Sequence, residues 1–313
     1  DDFIWNNTMA VDSSGNVILG ASTNSLTSIA TSGAFQSTIG SPTDGFFVKF
    51  DENGQRSWGT YYGGSGGDAV YGLSVDKSGN IIVAGLTSSF ENIASIGAFQ
   101  TVLRGNMDGF VARFDPAGIR IWGTYYGGNE IPPQAEFIQA CIADSNYNIY
   151  CFGETSAPDF IATPGAHQSN IGGNRDSYIV KFTPDGSRVW GTYYGGANAE
   201  QNPWGCISKN GMIYITGNTY SSENIATPGS FLSTLGNVPK GFLACFNYDG
   251  QRSWGTYFGG EADAIIVGCM ADTGSSVYFF GNTNSATNIA TPGTFQTTKK
   301  EADNPYIQKF SFT

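Results

Sequence analysis

The chain has 313 residues, of which 40% are hydrophobic and 14% aromatic, enough to bury a substantial core. This excludes a disordered chain and a small disulfide-dependent protein. Only 13% of the residues are charged and 43 are glycine, a balance typical of β-rich, turn-dense proteins and not of helical bundles. The net charge of −11 repels phosphate backbones, so nucleic acid is not an expected partner. No apolar run approaches the ~18 residues of a spanning helix, so the protein is not expected to span a membrane.

Three motifs recur along the whole chain. Four near-identical copies of R-x-W-G-T-Y-[YF]-G-G occur at intervals of 64 or 68 residues, beginning at Arg56, Arg120, Arg188 and Arg252. An aromatic-rich segment precedes each copy, and a fifth such segment ends at Phe310. The third motif, represented by NIATPGTFQ at 288–296, also occurs five times. The chain therefore reads as a single domain of five repeats, at about 1–64, 65–128, 129–196, 197–260 and 261–313.

Each repeat predicts four antiparallel strands. In the second repeat, AVYGLSVD at 69–76 and NIIVAGLT at 80–87 flank a short turn and predict a hairpin. A second hairpin is predicted from GFVARFD at 109–115 and IRIWGTYYGG at 119–128. Four-stranded antiparallel units that repeat along a chain are typical of propeller blades. The expected fold is therefore all-β, a five-bladed β-propeller with four-stranded antiparallel blades and almost no helix.

The fifth repeat departs from the pattern of the other four. Its aromatic-rich segment ends at Phe310, and 311–313 do not supply the R-x-W-G-T-Y-[YF]-G-G strand. We therefore expect the last blade to lack its own outer strand. A sheet edge left in this way is open to a partner strand.

These motifs resemble the secreted bacterial SBBP (β-propeller) repeats of Bacteroidota-type bacteria. The resemblance rests on GN-hydrophobic-G-T-S, GAFQ, D-x-F-hydrophobic-K-F and W-G-T-Y-Y-G-G, and it covers essentially the entire chain. It implies a secreted or cell-surface propeller and brings no catalytic residue set. The family label implies seven blades, whereas this chain carries five repeats.

A binding site is predicted at one end of the blades. The short hairpin turns open onto one end, while the other end carries the long loops after the second strands and the blade-to-blade linkers, whose sequences diverge. Variation on a fixed scaffold is typical of binding surfaces, and aromatic, amide and carboxylate groups there suit a sugar or a peptide. The predicted site residues at the channel mouth are Tyr71, Gln139, Glu154, Trp204, Asn218 and Asn282. An equally simple interpretation is that Tyr71 and Trp204 only plug the channel.

The expected function is a non-enzymatic extracellular recognition or adhesion module that binds a glycan or a surface protein through this long-loop face. One alternative is a structural subunit of a cell-surface or secretion-linked assembly, docked through the incomplete fifth blade. The other is a propeller-type polysaccharide hydrolase or lyase, with Glu130, Glu136 or Glu154 as acid and base. No metal or cofactor is expected, since DENG at 51–54 lacks the alternating oxygens of a calcium loop.

Other side chains with chemical potential have structural interpretations. The sole histidine, His167, replaces the phenylalanine of GAFQ and is expected to be a packing residue. The recurrent arginines and tryptophans of the outer strands predict inter-strand salt bridges and blade packing. Cysteines on neighbouring first strands are expected to lie too far apart for a disulfide. Cys141 and Cys151 are the exception, because their predicted hairpin places them cross-strand on one face.

Overall fold

The computed structural model describes residues 2–3, 9–129, 136–274, 276–301 and 303–311. Its regular structure within these ranges consists of β-strands, without any helix. The strands form five antiparallel sheets, four of them with at least four strands and the last with three. The protein is therefore the predicted five-bladed β-propeller with an incomplete last blade. No segment of these ranges forms an apolar helix long enough to cross a membrane.

The strands follow the chain from sheet to sheet. The first blade contains β1 (Asp2–Phe3), β2 (Met9–Val11), β3 (Val17–Thr23), β4 (Asp44–Phe50) and β5 (Arg56–Tyr62). The second contains β6 (Asp68–Val75), β7 (Ile81–Thr87), β8 (Asp108–Phe114) and β9 (Arg120–Tyr126). The third contains β10 (Phe137–Ala143), β11 (Ile149–Thr155), β12 (Asp176–Phe182) and β13 (Arg188–Tyr194). The fourth contains β14 (Glu200–Ile207), β15 (Ile213–Thr219), β16 (Lys240–Phe246) and β17 (Arg252–Phe258). The fifth contains β18 (Ala264–Ala271), β19 (Val277–Thr283) and β20 (Asn304–Phe310).

The chain forms two compact units. The first comprises Asp1–Ile161 and Val180–Trp190, and the second comprises Ala162–Ile179 and Gly191–Thr313. The core of the first unit includes buried aromatic and aliphatic side chains such as Phe47, Tyr62 and Phe114. The core of the second includes Leu243, Phe258 and Phe279. Strands such as β8 and β16 are buried along their whole length, so apolar side chains from both faces of their sheets contribute to these cores, because successive residues of a strand point to opposite faces.

No residue is exposed in the third strands that an outer strand covers, which are β4, β8, β12 and β16. All seven residues of β8 and of β16 are buried. In β20 every second residue is exposed, and within the described residues this strand pairs only with β19. The edge of the fifth blade is therefore uncovered, as the missing motif predicts.

Candidate functional site

The long loop after each second strand is part of the blade framework. In the second blade, the loop at 88–107 runs beside β9, where the Ser95 amide donates to the Gly123 carbonyl at 2.8 Å. The Gln100 amide donates to the Thr124 hydroxyl at 2.9 Å. The amide of Tyr125 donates back to the Gln100 carbonyl at 3.2 Å. The repeated residues of the loop therefore hold the outer strand, and they are not free to bind a ligand.

A tyrosine of each of the first three outer strands holds the next loop in place. The buried Tyr62 hydroxyl donates to the Ile93 carbonyl at 2.8 Å. A Cβ at Gly123 would lie 2.7 Å from that hydroxyl and would also collide with the Ile93 oxygen. The glycine of W-G-T is therefore required by a close approach of backbone and side chain. The same hydrogen bond joins Tyr126 to Ile161 and Tyr194 to Ile225.

The recurrent arginines bond to carbonyl groups, so the expectation of inter-strand salt bridges is wrong. Arg120 Nη1 donates to the Asn92 carbonyl at 2.7 Å, and its guanidinium lies 4.7 Å from the centre of the Phe35 ring. The reason is that the first residue of each loop motif, such as Asn92, has a positive φ and directs its carbonyl towards the outer strand. The expected packing role of the tryptophans is confirmed for Trp122, which is buried with its ring 6.3 Å from that of Phe182, centre to centre, and whose Nε1 donates to the Pro184 carbonyl at 2.9 Å.

His167 is a packing residue, as its place in the motif predicts. Its ring lies 5.6 Å from that of Phe246 and 6.4 Å from that of Tyr194, centre to centre. Phe35 makes the equivalent pair of contacts in the first repeat. Burial, together with the nearby charge of Arg252, lowers the pKa of His167 to about 4. The imidazole is therefore neutral at pH 7 and takes the place of a phenylalanine.

Three pairs of buried carboxylates join the third strand of one blade to the first strand of the next. They are Asp44 with Asp68, Asp108 with Glu136, and Asp176 with Glu200. Burial raises the pKa of Asp68 to about 6, and the charge of Asp44 adds to the effect. Burial raises the pKa of Glu200 to about 7, with a contribution from Asp176. Perturbed carboxyl groups of this kind are candidates for catalysis or for a structural tie.

Hydrogen bonds to the framework favour the structural role for these pairs. Gln36 Nε2 donates to Asp44 at 2.9 Å, and the Gly64 amide donates to Asp68 at 2.9 Å. In the fourth repeat the corresponding glutamine, aspartate and first-strand acid are all replaced together, by Leu232, Lys240 and Ala264. The Lys240 ammonium group there donates to the Gly260 carbonyl. Because the glutamine and both acids are replaced together, we infer that the three side chains act as one structural link between the strands.

The carboxylates of the enzyme alternative are largely enclosed. Glu136 is fully buried, where the Gly128 amide donates to Oε2 at 2.6 Å and the Thr155 hydroxyl donates to Oε1. Glu154 is 2% exposed. Glu130 lies outside the described residues. Among the residues that the structure describes, no three His, Cys, Asp or Glu side chains come together as a metal site.

Bulges in the first strands place variable residues at one position of the blades. The strand pairing skips Tyr71 in β6, Gln139 in β10 and Val267 in β18, so each is the extra residue of a β-bulge. A bulge redirects a side chain and often lies near a functional site. A glycine on the second strand accommodates each bulge. At Gly85, for example, a Cβ would collide with the Ala69 carbonyl.

In the first unit the structure brings an aromatic pair and a carboxylate together. The rings of Tyr71 and Phe137 lie 5.7 Å apart, edge to face, and both residues are half-buried. Glu154 lies directly opposite Phe137 in the β10–β11 register. Gln139 is buried, although it occupies a bulge. Sequence reasoning missed Phe137, which the hydrophobic alternation of β10 alone assigns to packing.

The predicted site residues of the second unit, Trp204, Asn218 and Asn282, differ in how accessible they are to a ligand. Trp204 is half-buried and lies opposite Thr216, because the bulge of β14 contains Asn202 and Pro203. The Asn218 side-chain oxygen accepts a hydrogen bond from the Ile266 amide at 2.9 Å, which ties β15 to β18. Asn282 is exposed. Trp204 and Asn282 are therefore open to a ligand, and Asn218 serves the framework.

A strained aromatic residue marks the long loop of the third repeat. Phe160 has a φ of 63°, in the left-handed region where Asn92 and Asn224 stand in other repeats. A bulky side chain in this conformation is uncommon. The guanidinium of Arg104 lies 3.8 Å from the centre of the Phe160 ring. This cation–aromatic stack is a feature of the long-loop end of the first unit.

All five cysteines are free thiols. Cys141 and Cys151 lie directly opposite each other, so the predicted cross-strand placement is confirmed. The Cys206 thiol has its pKa raised well above the ordinary value by the neighbouring Cys269 thiol and by burial. These two first-strand cysteines therefore interact as thiols without forming a disulfide.

The comparisons with known proteins give a distant resemblance. No family model matches the chain, so membership of the SBBP family stays a prediction. The chain is 24% identical over 290 residues to an uncharacterised WD repeat-containing protein of Acanthamoeba polyphaga mimivirus. The match covers 76% of this chain and 21% of that protein, so the chain spans about a fifth of its length.

Solved structures resemble the chain at low identity. A protein of unknown function from Dyadobacter fermentans is 13% identical with a TM-score of 0.46, covering 90% of this chain and 78% of the other. A gluconolactonase from Xanthomonas campestris is 13% identical with a TM-score of 0.42, covering 88% and 70%. The extracellular domain of a one-component system from B. thetaiotaomicron is 10% identical with a TM-score of 0.42, covering 89% and 27%. Similarity at this level assigns no activity to this chain.

Proposed function

We propose that the protein is a non-enzymatic extracellular recognition module that binds a glycan through the bulged positions of its first strands. The observation that carries the proposal is the recurrence of one bulge with different residues in it, of which Tyr71 is half-buried, Val267 is exposed and Gln139 is buried. A repeated geometry that presents variable chemistry is typical of recognition surfaces built on a fixed scaffold. A surface protein as the ligand is the competing outcome of the binding test.

The aromatic groups beside these bulges support a sugar as the ligand. The half-buried pair of Tyr71 and Phe137 offers an apolar ring surface, while Glu154, opposite Phe137, is only 2% exposed and belongs to the framework. In the second unit, Trp204 is half-buried and Asn282 exposed, which offers an indole and an amide. Aromatic rings stack on the apolar faces of sugars, and amides and carboxylates bond their hydroxyl groups.

An extracellular location is part of the proposal. The low content of charged residues, the net charge of −11 and the resemblance to secreted repeats support it. Surface labelling and fractionation of cells that express the native gene test the location directly. Recovery of the protein only with the cytosolic fraction would overturn this part of the proposal.

Loss of an aromatic side chain should weaken glycan binding. We expect Tyr71→Ala and Trp204→Ala each to reduce affinity for a bound polysaccharide by ~1–3 kcal/mol, the scale of an aromatic anchor. The measurement is affinity electrophoresis against a panel of polysaccharides, followed by calorimetry on those that bind. Lys77→Ala is the control, because Lys77 is exposed in the short turn at the other end of its blade.

Four outcomes would contradict the proposal. Binding that is unchanged in both aromatic variants places the ligand elsewhere, as does binding that responds to Lys77→Ala. Binding to surface proteins without binding to any polysaccharide assigns the other ligand class. Release of reducing ends that is lost in Glu154→Gln supports the hydrolase or lyase alternative.

A further inference from the structure

The fourth blade shows how an outer strand is held. β17 lies between β16 and the loop at 220–239, where the Thr227 amide donates to the Gly255 carbonyl at 2.8 Å. The Leu232 amide donates to the Thr256 hydroxyl at 2.9 Å, and the Tyr257 amide donates to the Leu232 carbonyl at 3.0 Å. The outer strand is therefore bonded along both of its edges.

Two side chains of β17 fix its register on the loop. Arg252 Nη1 donates to the Asn224 carbonyl at 2.7 Å. The Tyr257 hydroxyl donates to the Ser221 carbonyl at 2.9 Å. Equivalent arginine bonds occur in the first three blades, where they join Arg56 to Ser28, Arg120 to Asn92 and Arg188 to Phe160. One kind of strand–loop interface is thus established four times in this chain.

The fifth blade has both of the elements that flank an outer strand, the third strand and the long loop. β20 pairs with β19 in the same register as β16 with β15. The loop at 284–301 makes the same turn, in which the Thr294 amide donates to the Thr291 carbonyl at 3.2 Å. Asn288 has a φ of 61°, matching 62° at Asn224. A cavity of about 270 Å³ lies between the strand and the loop, lined by Ser285, Ile289, Thr291, Gln296, Tyr306 and Ile307.

The side chains that an outer strand covers in the other blades are exposed here. Ile307 is 72% exposed, whereas Leu243 at the same position of β16 is fully buried. Phe295 is fully exposed, whereas the equivalent Phe231 is 65% exposed and Phe35 and Phe99 are half-buried against neighbouring rings. The open slot between β20 and its loop therefore has the same geometry as the four sites in which β5, β9, β13 and β17 lie.

We propose that this slot is a docking site for a β-strand of sequence R-x-W-G-T-Y-[YF]-G-G and accepts that strand as a separate peptide. The register of β16 and β17 places the strand's threonine opposite Ile307, its glycine opposite Gln308 and its arginine opposite Phe310. Its arginine then donates to the Asn288 carbonyl, and its glycine passes the Ile289 carbonyl. A side chain at that glycine collides with the loop, as a Cβ at Gly255 would with Ile225.

A second copy of this chain is not the donor. Its own copies of the motif form β5, β9, β13 and β17, and each is paired within its own sheet. The strand that fills the slot is therefore a copy of the motif other than these four. The interaction is strand addition to an exposed sheet edge, in which main-chain hydrogen bonds give affinity and side chains give register. This surface is separate from the bulged positions of the proposed function.

A peptide with the sequence of residues 56–64, RSWGTYYGG, tests the proposal on the full chain. We expect the labelled peptide to bind saturably with one-to-one stoichiometry in a fluorescence anisotropy titration. The same peptide with valine in place of the glycine that corresponds to Gly59 should bind at least about tenfold more weakly. The variant Ile307→Lys should lose at least as much affinity for the original peptide.

Matched controls separate the slot from general effects. Ile96→Lys changes a fully exposed isoleucine in the second repeat and should leave peptide binding unchanged. Circular dichroism should show both variants folded, because neither isoleucine is buried. Absence of saturable binding overturns the proposal, as does equal binding of the valine peptide or an equal effect of the two lysine variants. A dimer of the chain that the peptide fails to dissociate assigns the edge to a second copy and also overturns it.

Discussion

Replacement of Gly123 with alanine is expected to lower the free energy of unfolding by about 3 kcal/mol. The added Cβ would lie 2.7 Å from the Tyr62 hydroxyl and would collide with the Ile93 carbonyl. The alanine therefore disrupts the buried hydrogen bond between these groups and pushes the loop at 88–107 away from β9. An overpacked contact with backbone cannot relax by a rotamer change, which is why the cost is large.

Urea unfolding followed by tryptophan fluorescence measures the effect of Gly123→Ala. Gly67→Ala is the matched control, because a Cβ there meets only the Ser88 hydroxyl at 3.8 Å. The control should stay within about 0.5 kcal/mol of the parent chain. Similar unfolding midpoints for the two variants would show that the loop does not lie against β9 in solution.

Removal of Asp76 alone is expected to cost about 3–5 kcal/mol, because it leaves a buried guanidinium without its counter-ion. Arg113 Nη2 lies 2.6 Å from Asp76 Oδ2, and the two side chains are 10% and 1% exposed. Arg113 Nη1 also donates to the Pro184 carbonyl at 2.8 Å, so the guanidinium cannot swing out to water without losing that bond. The single variant to measure is Asp76→Ser.

The fourth repeat supplies the control for this ion pair, since Ser208 and Cys245 stand where Asp76 and Arg113 stand in the second. The double variant Asp76→Ser with Arg113→Cys copies that arrangement and should recover at least half of the loss, because no buried charge remains unpaired. A double variant less stable than Asp76→Ser would contradict this explanation.

The ion pair also predicts a pH dependence. Burial acts to raise the pKa of Asp76, but hydrogen bonds from Asn80 and Arg113 outweigh it, and the pKa is lowered in the folded chain. A carboxyl group with a lowered folded pKa stabilises the fold above its unfolded pKa, and this stability is lost as the pH falls through the folded value. Asp76→Ser should therefore remove part of the acid sensitivity of the parent chain.

The strands are predicted well because the same pattern of strand and turn residues recurs in all five repeats. Glycine and proline mark the turns, and alternation of apolar residues marks the strands, so the hairpins around 77–79 and 116–118 follow from local chemistry. The open edge of the fifth blade follows from the missing motif. These features depend on residues close together in sequence.

Features that depend on distant backbone groups are not predicted. The arginines of the outer strands bond to loop carbonyls 28 residues away, and no side-chain pattern reveals a carbonyl partner. The carboxylate pairs, in contrast, could have been predicted from the sequence. An acid begins each of β4, β8 and β12, and another acid begins or directly precedes the first strand of the next blade.

The candidate site was predicted only in part, because bulges shift the register. Tyr71 and Gln139 occupy bulges, whereas Trp204 lies one place further along because Asn202 and Pro203 fill the bulge of β14. The glycine in the middle of second strands, such as Gly85, is the sequence signal that marks the bulge. Phe137 could not be recognised, since its pairing with Tyr71 joins two different blades.

Backbone hydrogen exchange in β20 and β16 of the free chain is the most direct test of the five-repeat fold with an uncovered last blade. An edge strand bonds on one side only, so alternate amides of residues 304–310 face away from β19. We predict that these amides exchange at least about tenfold faster than the amides of residues 240–246, which are paired on both sides. Equal protection along both strands would show that the edge of the fifth blade is covered and would contradict the account.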